Sequence, residues 1–280
     1  MKVPFTKMHG LGNDFLVLDL VTNPVQLSSE RIHQLADRHF GVGFDQLLQI
    51  EPASSPDVDF DYRIYNADGQ EVEHCGNGAR CFARFVHDHG LTDRNPIRVK
   101  TVNRVLELAI QPDGQVTVDM GRPIFNPADI PFRTSEPARL YRRTLELDGR
   151  SMAVEFSALS MGNPHAVLVV DKLASTPVEA LGKALGSHPD FPAGVNVGFM
   201  EIENSSRVKL RVFERGAGET LACGTGACAA MVAGRRLGLL DATVQLTLRG
   251  GELTVSWDQG SDSVMMTGPA RTVFEGSFEL

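Results

Sequence analysis

Cys75-Gly76-Asn77-Gly78-Ala79 and Cys223-Gly224-Thr225-Gly226-Ala227 carry the same pattern 148 positions apart. Their surroundings match at the same offset. Arg63 and Asn66, then Glu71, precede the first cysteine; Arg211 and Glu214, then Glu219, precede the second. Gly90-Leu91 and Gly238-Leu239 close the two segments. A repeat of this length predicts two similar halves. A second echo lies upstream, where Gly12-Asn13-Asp14-Phe15 resembles Gly162-Asn163-Pro164-His165. A Gly-Asn pair alone is a turn signal. Two at similar distances from two matched cysteines extend the repeat.

Each half reads as alternating strand, turn, cysteine, helix. Phe60 to Ile64, Leu106 to Leu108, Val116 to Val118, Val208 to Val212 and Val244 to Leu248 alternate apolar and polar residues, the period of a strand. Ala79, Phe82, Ala83 and Val86 share one helical face and predict an amphipathic helix ending at Gly90. The alanine-rich segment after Cys223 predicts a helix that packs closely at the centre of its half and ends at Gly238. Ser29 to Arg38, capped by Ser28 or Ser29, and Thr176 to Leu185, starting after Pro177, are further helices. The prolines at 123, 127, 131 and 137 mark the crossover. The expected lobes are 1–121 and 122–269, with 270–280 returning to the first.

The chain has 280 residues, 42% hydrophobic, and a formal charge of -8 with no basic run. That excludes nucleic acid as the expected partner. The N-terminus has no apolar stretch of signal-peptide length and the apolar runs are short, so the expectation is a cytoplasmic protein that spans no membrane. Cysteines in such a compartment point to catalysis or metal binding more than to disulfides. Five residues separate Cys75 from Cys81 and four separate Cys223 from Cys228. Zinc pairs are usually closer, so no metal site is expected. Cys81 and Cys228, inside their helices and without flanking glycine, read as small core residues.

A cysteine just before a helix meets unpaired N–H groups and the positive end of the helix dipole. Such a site lowers a thiol pKa. The glycines let backbone N–H groups approach a bound carboxylate. Two such thiols fit inversion at a carbon that bears hydrogen: one sulfur takes the proton from one face and the other delivers a proton to the opposite face. No motif demands a metal or pyridoxal cofactor.

The motifs His9-Gly10-Leu11-Gly12-Asn13-Asp14-Phe15, Gly43-Phe44-Asp45-Gln46, Asn66-Ala67-Asp68-Gly69, Cys75-Gly76-Asn77-Gly78-Ala79-Arg80-Cys81, Gly162-Asn163-Pro164-His165, Asn196-Val197-Gly198-Phe199, Glu214-Arg215-Gly216 and Ala222-Cys223-Gly224-Thr225-Gly226 occur in one order. With them the chain resembles the diaminopimelate epimerases over nearly its whole length. The resemblance implies an α+β fold of two pseudo-symmetric lobes, each a mixed, mainly antiparallel sheet around a central helix. It implies cofactor-independent interconversion of LL- and meso-2,6-diaminoheptanedioate for lysine and peptidoglycan precursors, with Cys75 and Cys223 as the acid/base pair. His165 and Glu214 would tune the thiols. Gly76-Asn77 and Gly224-Thr225 would hold the carboxylate at the reacting carbon. Asn13, Gln46, Asn66, Asn163, Asn196, Glu214 and Arg215 would bind the rest of the substrate, an ammonium and carboxylate that suit an arginine and several amides. It also implies a homodimer, with Phe274 a weak candidate for the contact. His33, His39, His87, His89 and His188 read as surface residues, and His74 stands beside Cys75. Two other readings remain open: a proline-type amino-acid racemase and a redox-sensing binding protein.

Overall fold

Alternation becomes strand wherever one face is covered. Phe60–Asn66 buries Phe60, Tyr62 and Ile64 and leaves the residues between them half-exposed. The fold is seen in a computed structural model that describes residues 1–72, 76–147, 149–259 and 263–280. By its contacts the chain divides into two units, Met1–Asp119 with Thr267–Leu280, and Met120–Met266.

In the first unit the order is β1 (Lys2–Gly10), β2 (Asn13–Asp19), α1 (Ser29–Ala36), β3 (Gln46–Pro52), β4 (Phe60–Asn66), β5 (Glu71–Val72), α2 (Gly76–Asp88), β6 (Ile97–Lys100), β7 (Val105–Ile110) and β8 (Val116–Asp119). The second unit follows with β9 (Tyr141–Leu147), β10 (Arg150–Ser160), β11 (Pro164–Val169), α3 (Val178–Gly186), β12 (Asn196–Asn204), β13 (Arg207–Glu214), β14 (Gly218–Glu219), α4 (Gly224–Arg236), β15 (Thr243–Leu248) and β16 (Gly251–Ser256). Then β17 (Met265–Gly268) leads into β18 (Arg271–Glu279), which pairs antiparallel with β1.

The repeat is a repeat of topology. β1 and β2 pair antiparallel, β2 and β3 parallel, β3 and β4 antiparallel, and β4 and β6 parallel. β10 to β15 reproduce that series: antiparallel, parallel, antiparallel, then parallel. In each unit a helix, α1 or α3, makes the first parallel crossover, and α2 or α4 makes the second. Register is preserved too, with Phe15 opposite Gln46 in one unit and His165 opposite Asn196 in the other.

The helices after the cysteines are the cores of their units. Ala79, Phe82, Ala83 and Val86, the predicted apolar face of α2, are all fully buried. Phe82 meets Tyr62 and Phe60 with ring centroids 4.8 and 5.9 Å apart. α4 packs against β10, β11, β12, β13 and β16. Its alanines permit that: Ala227, Ala229 and Ala230 are wholly buried, as is Cys228, and Cys81 is equally so in α2. A β-carbon on Gly78 would lie 2.4 Å from the Tyr62 hydroxyl, and one on Gly226 would lie 3.0 Å from Val212. Each first turn therefore rests directly on a strand. Both helices end as predicted, on Gly90 (φ 64°) and Gly238 (φ 75°), where Leu91 N–H and Leu239 N–H close a left-handed cap.

α1 is capped by Ser28, whose hydroxyl accepts the Arg31 N–H at 3.1 Å. It stops at Ala36, short of the predicted Arg38. The Asp37 side chain accepts the N–H groups of His39 and Phe40 at 2.7 and 2.8 Å, a turn that competes with the helix. α3 spans Val178–Gly186, close to the predicted segment. Among the described residues no helix is long and apolar enough to cross a membrane.

Replacing Phe82 by alanine removes the largest apolar group of the α2 core. It is expected to lower stability by about 3–5 kcal/mol, read as a shift of the urea unfolding midpoint. A loss under about 1 kcal/mol would show that α2 is not the centre of its unit.

Candidate active site

The better-defined half-site is in the second unit. β13 ends at Glu214, β14 returns beside it, and Arg211 on β13 clasps Glu219 on β14 with two hydrogen bonds of 2.7 Å. The chain then turns to Cys223, which is the N-cap residue of α4 (φ -120°, ψ 110°). Cys223 is 4% exposed, and its Sγ–H donates to Glu214 Oε2 at 3.0 Å. The other oxygen, Oε1, accepts from the Thr220 hydroxyl at 2.5 Å. Thr225 Oγ1 lies 3.6 Å from the sulfur. The N–H groups of Gly224, Thr225 and Gly226 belong to the first turn of α4, where a helix has no partners of its own for them.

The helix start does not lower this thiol, contrary to the sequence-based expectation. Burial pushes the Cys223 pKa well above its ordinary value, and the Glu214 carboxylate beside it pushes it further. The Thr225 hydroxyl and the Gly226 N–H oppose this and are the smaller effects. A thiolate here would be a second anion in a dry site, so Cys223 rests as a thiol with its proton aimed at a carboxylate.

The rest of this half-site comes from β11 and β12. His165 is 1% exposed, and its Nε2 pairs with Asn163 Oδ1 at 3.0 Å. Its Nδ1 is buried with no hydrogen-bond partner among the described residues. Burial, with a smaller contribution from the Arg215 charge, lowers the His165 pKa to about 3, so the ring is neutral at ordinary pH. Asn196 Oδ1 accepts the Arg215 backbone N–H at 2.9 Å. The Arg215 guanidinium reaches the Ala193 carbonyl at 2.6 Å and stays exposed.

In the first unit Cys75, with its neighbours Glu73 and His74, lies outside the described residues. The residues around that position are described. Asn77, 3% exposed in the first turn of α2, donates from Nδ2 to Asn13 Oδ1 at 3.2 Å. Asn13 in turn donates to Asp45 at 3.0 Å. Gln46 Nε2 donates to Asn66 Oδ1 at 2.9 Å across the β3–β4 pair. Arg63 grips Glu71 with two bonds of 2.8 Å, the counterpart of Arg211 and Glu219.

Several residues here had no predicted role. Arg80 is fully buried in α2 and donates to Asn77 Oδ1 at 3.0 Å and to the Pro269 carbonyl at 3.1 Å. Arg38 binds Asp14 through both terminal nitrogens, at 2.9 and 2.8 Å, and Asp45 at 2.8 Å. Lys7 adds a third contact to Asp14 at 2.6 Å. Burial works against the Asp14 charge, yet the bonds from Arg38 and Lys7 outweigh it and hold the carboxyl below its usual range. Thr220 carried a signal that could have been used. It takes the repeat position of Val72, just as Glu214 takes that of Asn66.

Of the remaining predicted residues, Phe274 is 45% exposed on β18 and meets the Phe5 ring edge-on at 5.9 Å. His33, His39, His87 and His89 are exposed. His188 is instead half-buried, because its Nδ1 accepts the Asp190 N–H at 3.2 Å and the ring folds back on its own turn.

The family model described as "Diaminopimelate epimerase" matches residues 5–126 and 157–273. A diaminopimelate epimerase of Laribacter hongkongensis is 58% identical over 282 residues, covering 100% of both chains. One of Ralstonia nicotianae is 56% identical over 285 residues, covering 100% of this chain and 97% of the relative. Among solved structures, a hydroxyproline epimerase from Agrobacterium vitis superposes with a TM-score of 0.70 at 18% identity, covering 99% of this chain and 92% of the other. A Bacillus anthracis phenazine biosynthesis protein does so with a TM-score of 0.67 at 16% identity, over 100% of each. At such identity these two show the shared fold alone.

The depressed His165 pKa predicts a pH dependence of stability. The unfolded chain binds a proton at His165 near the ordinary value of 6.5, whereas the folded chain binds it only near 3. Stability from this residue is therefore complete above about pH 6.5 and is lost as pH falls toward about 3. Between pH 7.5 and pH 5 the wild type should lose about 2 kcal/mol more than His165→Gln. Parallel pH profiles of the two proteins in urea denaturation would contradict a buried neutral ring.

Proposed function

The chain belongs to the diaminopimelate epimerase family and is an isomerase, and we propose that it interconverts LL- and meso-2,6-diaminoheptanedioate by a two-base reaction of Cys75 and Cys223. One sulfur, as thiolate, takes the proton from the α-carbon and becomes a thiol. The other gives its proton to the opposite face of the carbanion and becomes a thiolate. The observation that carries this reading is the Cys223 thiol, buried at a helix N-cap with its sulfur 3.0 Å from a Glu214 carboxylate oxygen. That arrangement supports Cys223 as the proton donor of the resting pair. In the reverse direction Glu214 accepts the Cys223 proton and frees the thiolate.

The first turns of α2 and α4 supply the donors for the reacting carboxylate: Gly76 and Asn77 in one unit, Gly224 and Thr225 in the other. Negative charge moving from the α-carbon onto that carboxylate is favoured by helix N-termini. The distal ammonium and carboxylate are assigned to Asn13, Gln46, Asn66, Asn163, Asn196, Glu214 and Arg215. The Asn13–Asn77 and Gln46–Asn66 hydrogen bonds support this by fixing which way each amide faces. His165, neutral and buried, acts through hydrogen bonding rather than charge. No cofactor enters the reaction.

This reading extends to a cytoplasmic enzyme of lysine and peptidoglycan precursor synthesis that acts as a homodimer. The dimer reading is supported by β18, on which Val273 and Phe274 are 56% and 45% exposed. Phe274→Asp should therefore lower the sedimentation mass at micromolar concentration; an unchanged mass would remove this strand from the interface.

Replacing Cys75 or Cys223 by alanine should lower turnover by roughly 10²–10⁴-fold. In heavy water the wild-type product should carry deuterium at the inverted centre while unreacted substrate stays unlabelled at early times. Full turnover of either variant, or rapid label in the substrate, would defeat the two-base reading.

A further inference from the structure

We propose that Thr220 is a positioning residue for proton transfer at Cys223, a role that rests on reading Cys223 as one of the two acid/base thiols. The geometry is a line of three groups. The Thr220 hydroxyl donates to Glu214 Oε1 at 2.5 Å, and Cys223 Sγ donates to Glu214 Oε2 at 3.0 Å. One carboxylate thus bridges a donor that never leaves and a donor that must.

The need for such a bridge follows from the glutamate side chain. Its last torsion is broad and nearly two-fold, so rotamer preference does not fix the plane of the carboxylate. Glu214 is only half-buried at the end of β13. A hydrogen bond to one oxygen fixes that plane. Thr220 is itself held in place: its backbone N–H donates to the Val212 carbonyl at 3.3 Å, and Glu219 before it is gripped by Arg211.

The proton balance is simple. When Cys223 must become a base, its S–H bond breaks and an O–H bond forms at Glu214 Oε2. When it returns to the acid form, that O–H breaks and S–H forms again. The Thr220 proton stays on its own oxygen throughout. Thr220 stabilises the ionised carboxylate and keeps Oε2 directed at the sulfur.

The repeat gives an independent reason to assign this role. At the matching place in the first unit stands Val72, and Asn66 stands where Glu214 does. An amide and an apolar side chain offer no proton acceptor at those two positions. The hydroxyl and the carboxylate occur together at these positions in one half and are both replaced at the matching positions in the other, as expected if each is there for the other.

The test uses the full chain with diaminopimelate, comparing wild type with Thr220→Val, Thr220→Ala and Thr220→Ser. A hydrogen bond to a charged group supports a loss in kcat of roughly ten- to a hundredfold for valine and alanine. KM should stay within about twofold and serine should recover about half or more of the wild-type kcat. Thermal melting monitors folding, and serine recovery separates loss of the hydroxyl from loss of packing. Wild-type kcat in the valine and alanine variants would overturn the proposal. So would a loss confined to KM, or a serine variant as slow as valine. A wild-type chain that inverts no diaminopimelate would instead overturn the function assigned above; active wild type with active Thr220→Val overturns the Thr220 role alone.

Discussion

A two-residue strand tied to a long one by a bidentate arginine–glutamate pair governs where each reactive segment starts. Glu71 and Glu219 each stand four residues before a cysteine, and each is gripped by an arginine on the neighbouring strand. These pairs are partly exposed, with the arginines 43% and 30% accessible, so each contributes on the order of 0.2–1 kcal/mol. Their effect is geometric. A strand of two residues is too short to hold its own register, and two parallel N–H···O bonds fix both its distance and its angle. In the second unit the turn that follows ends with Cys223 at the N-cap of α4, and Gly226 then lets the helix rest on Val212.

Two opposing influences act on Cys223. The helix N-terminus favours an anion, by an amount that is typically a fraction of a kcal/mol to about 2 kcal/mol. Full burial and a neighbouring carboxylate disfavour it, and shifts from burial alone reach several pKa units. The second influence wins. The same helix start remains available to an anion that arrives from outside, since the first-turn N–H groups need no proton transfer to act. Under the proposed reaction, a carboxylate would bind there first and the thiol would ionise only when its proton has somewhere to go.

Much of this was legible in the sequence because duplication makes one half a control for the other. The matched Cys-Gly-x-Gly-Ala segments marked α2 and α4, and Gly90 and Gly238 marked their ends. The apolar face of α2 followed from the spacing of Ala79, Phe82, Ala83 and Val86. What escaped was decided by tertiary contact. Nothing local shows that Arg38 leaves α1 to bind Asp14 and Asp45, because those partners come from β2 and the loop before β3. Arg80 lies in a motif singled out from the start, yet a fully buried arginine is visible only once Asn77 and the Pro269 carbonyl are around it. The sign of the Cys223 shift was missed for a related reason. Helix position can be read from sequence, whereas burial and the approach of Glu214 depend on the assembled sheet.

The two units keep one backbone and have diverged in the chemistry beside the cysteine. Arginine, glutamate, glycine and cysteine recur because they set geometry. Asn66 against Glu214, Asn77 against Thr225 and Val72 against Thr220 differ in proton affinity and hydrogen-bonding capacity. An amide can orient a ligand but cannot exchange a proton with a thiol, whereas a carboxylate can do both. A symmetric pair of sites would hold two thiols of equal acidity, and neither would be preferred as donor. On the proposed two-base reading, the Glu214 carboxylate, with the Thr220 hydroxyl on its other oxygen, breaks that degeneracy and favours Cys223 as the sulfur that starts with its proton. The asymmetry lies in these side chains, and the duplicated framework is left intact.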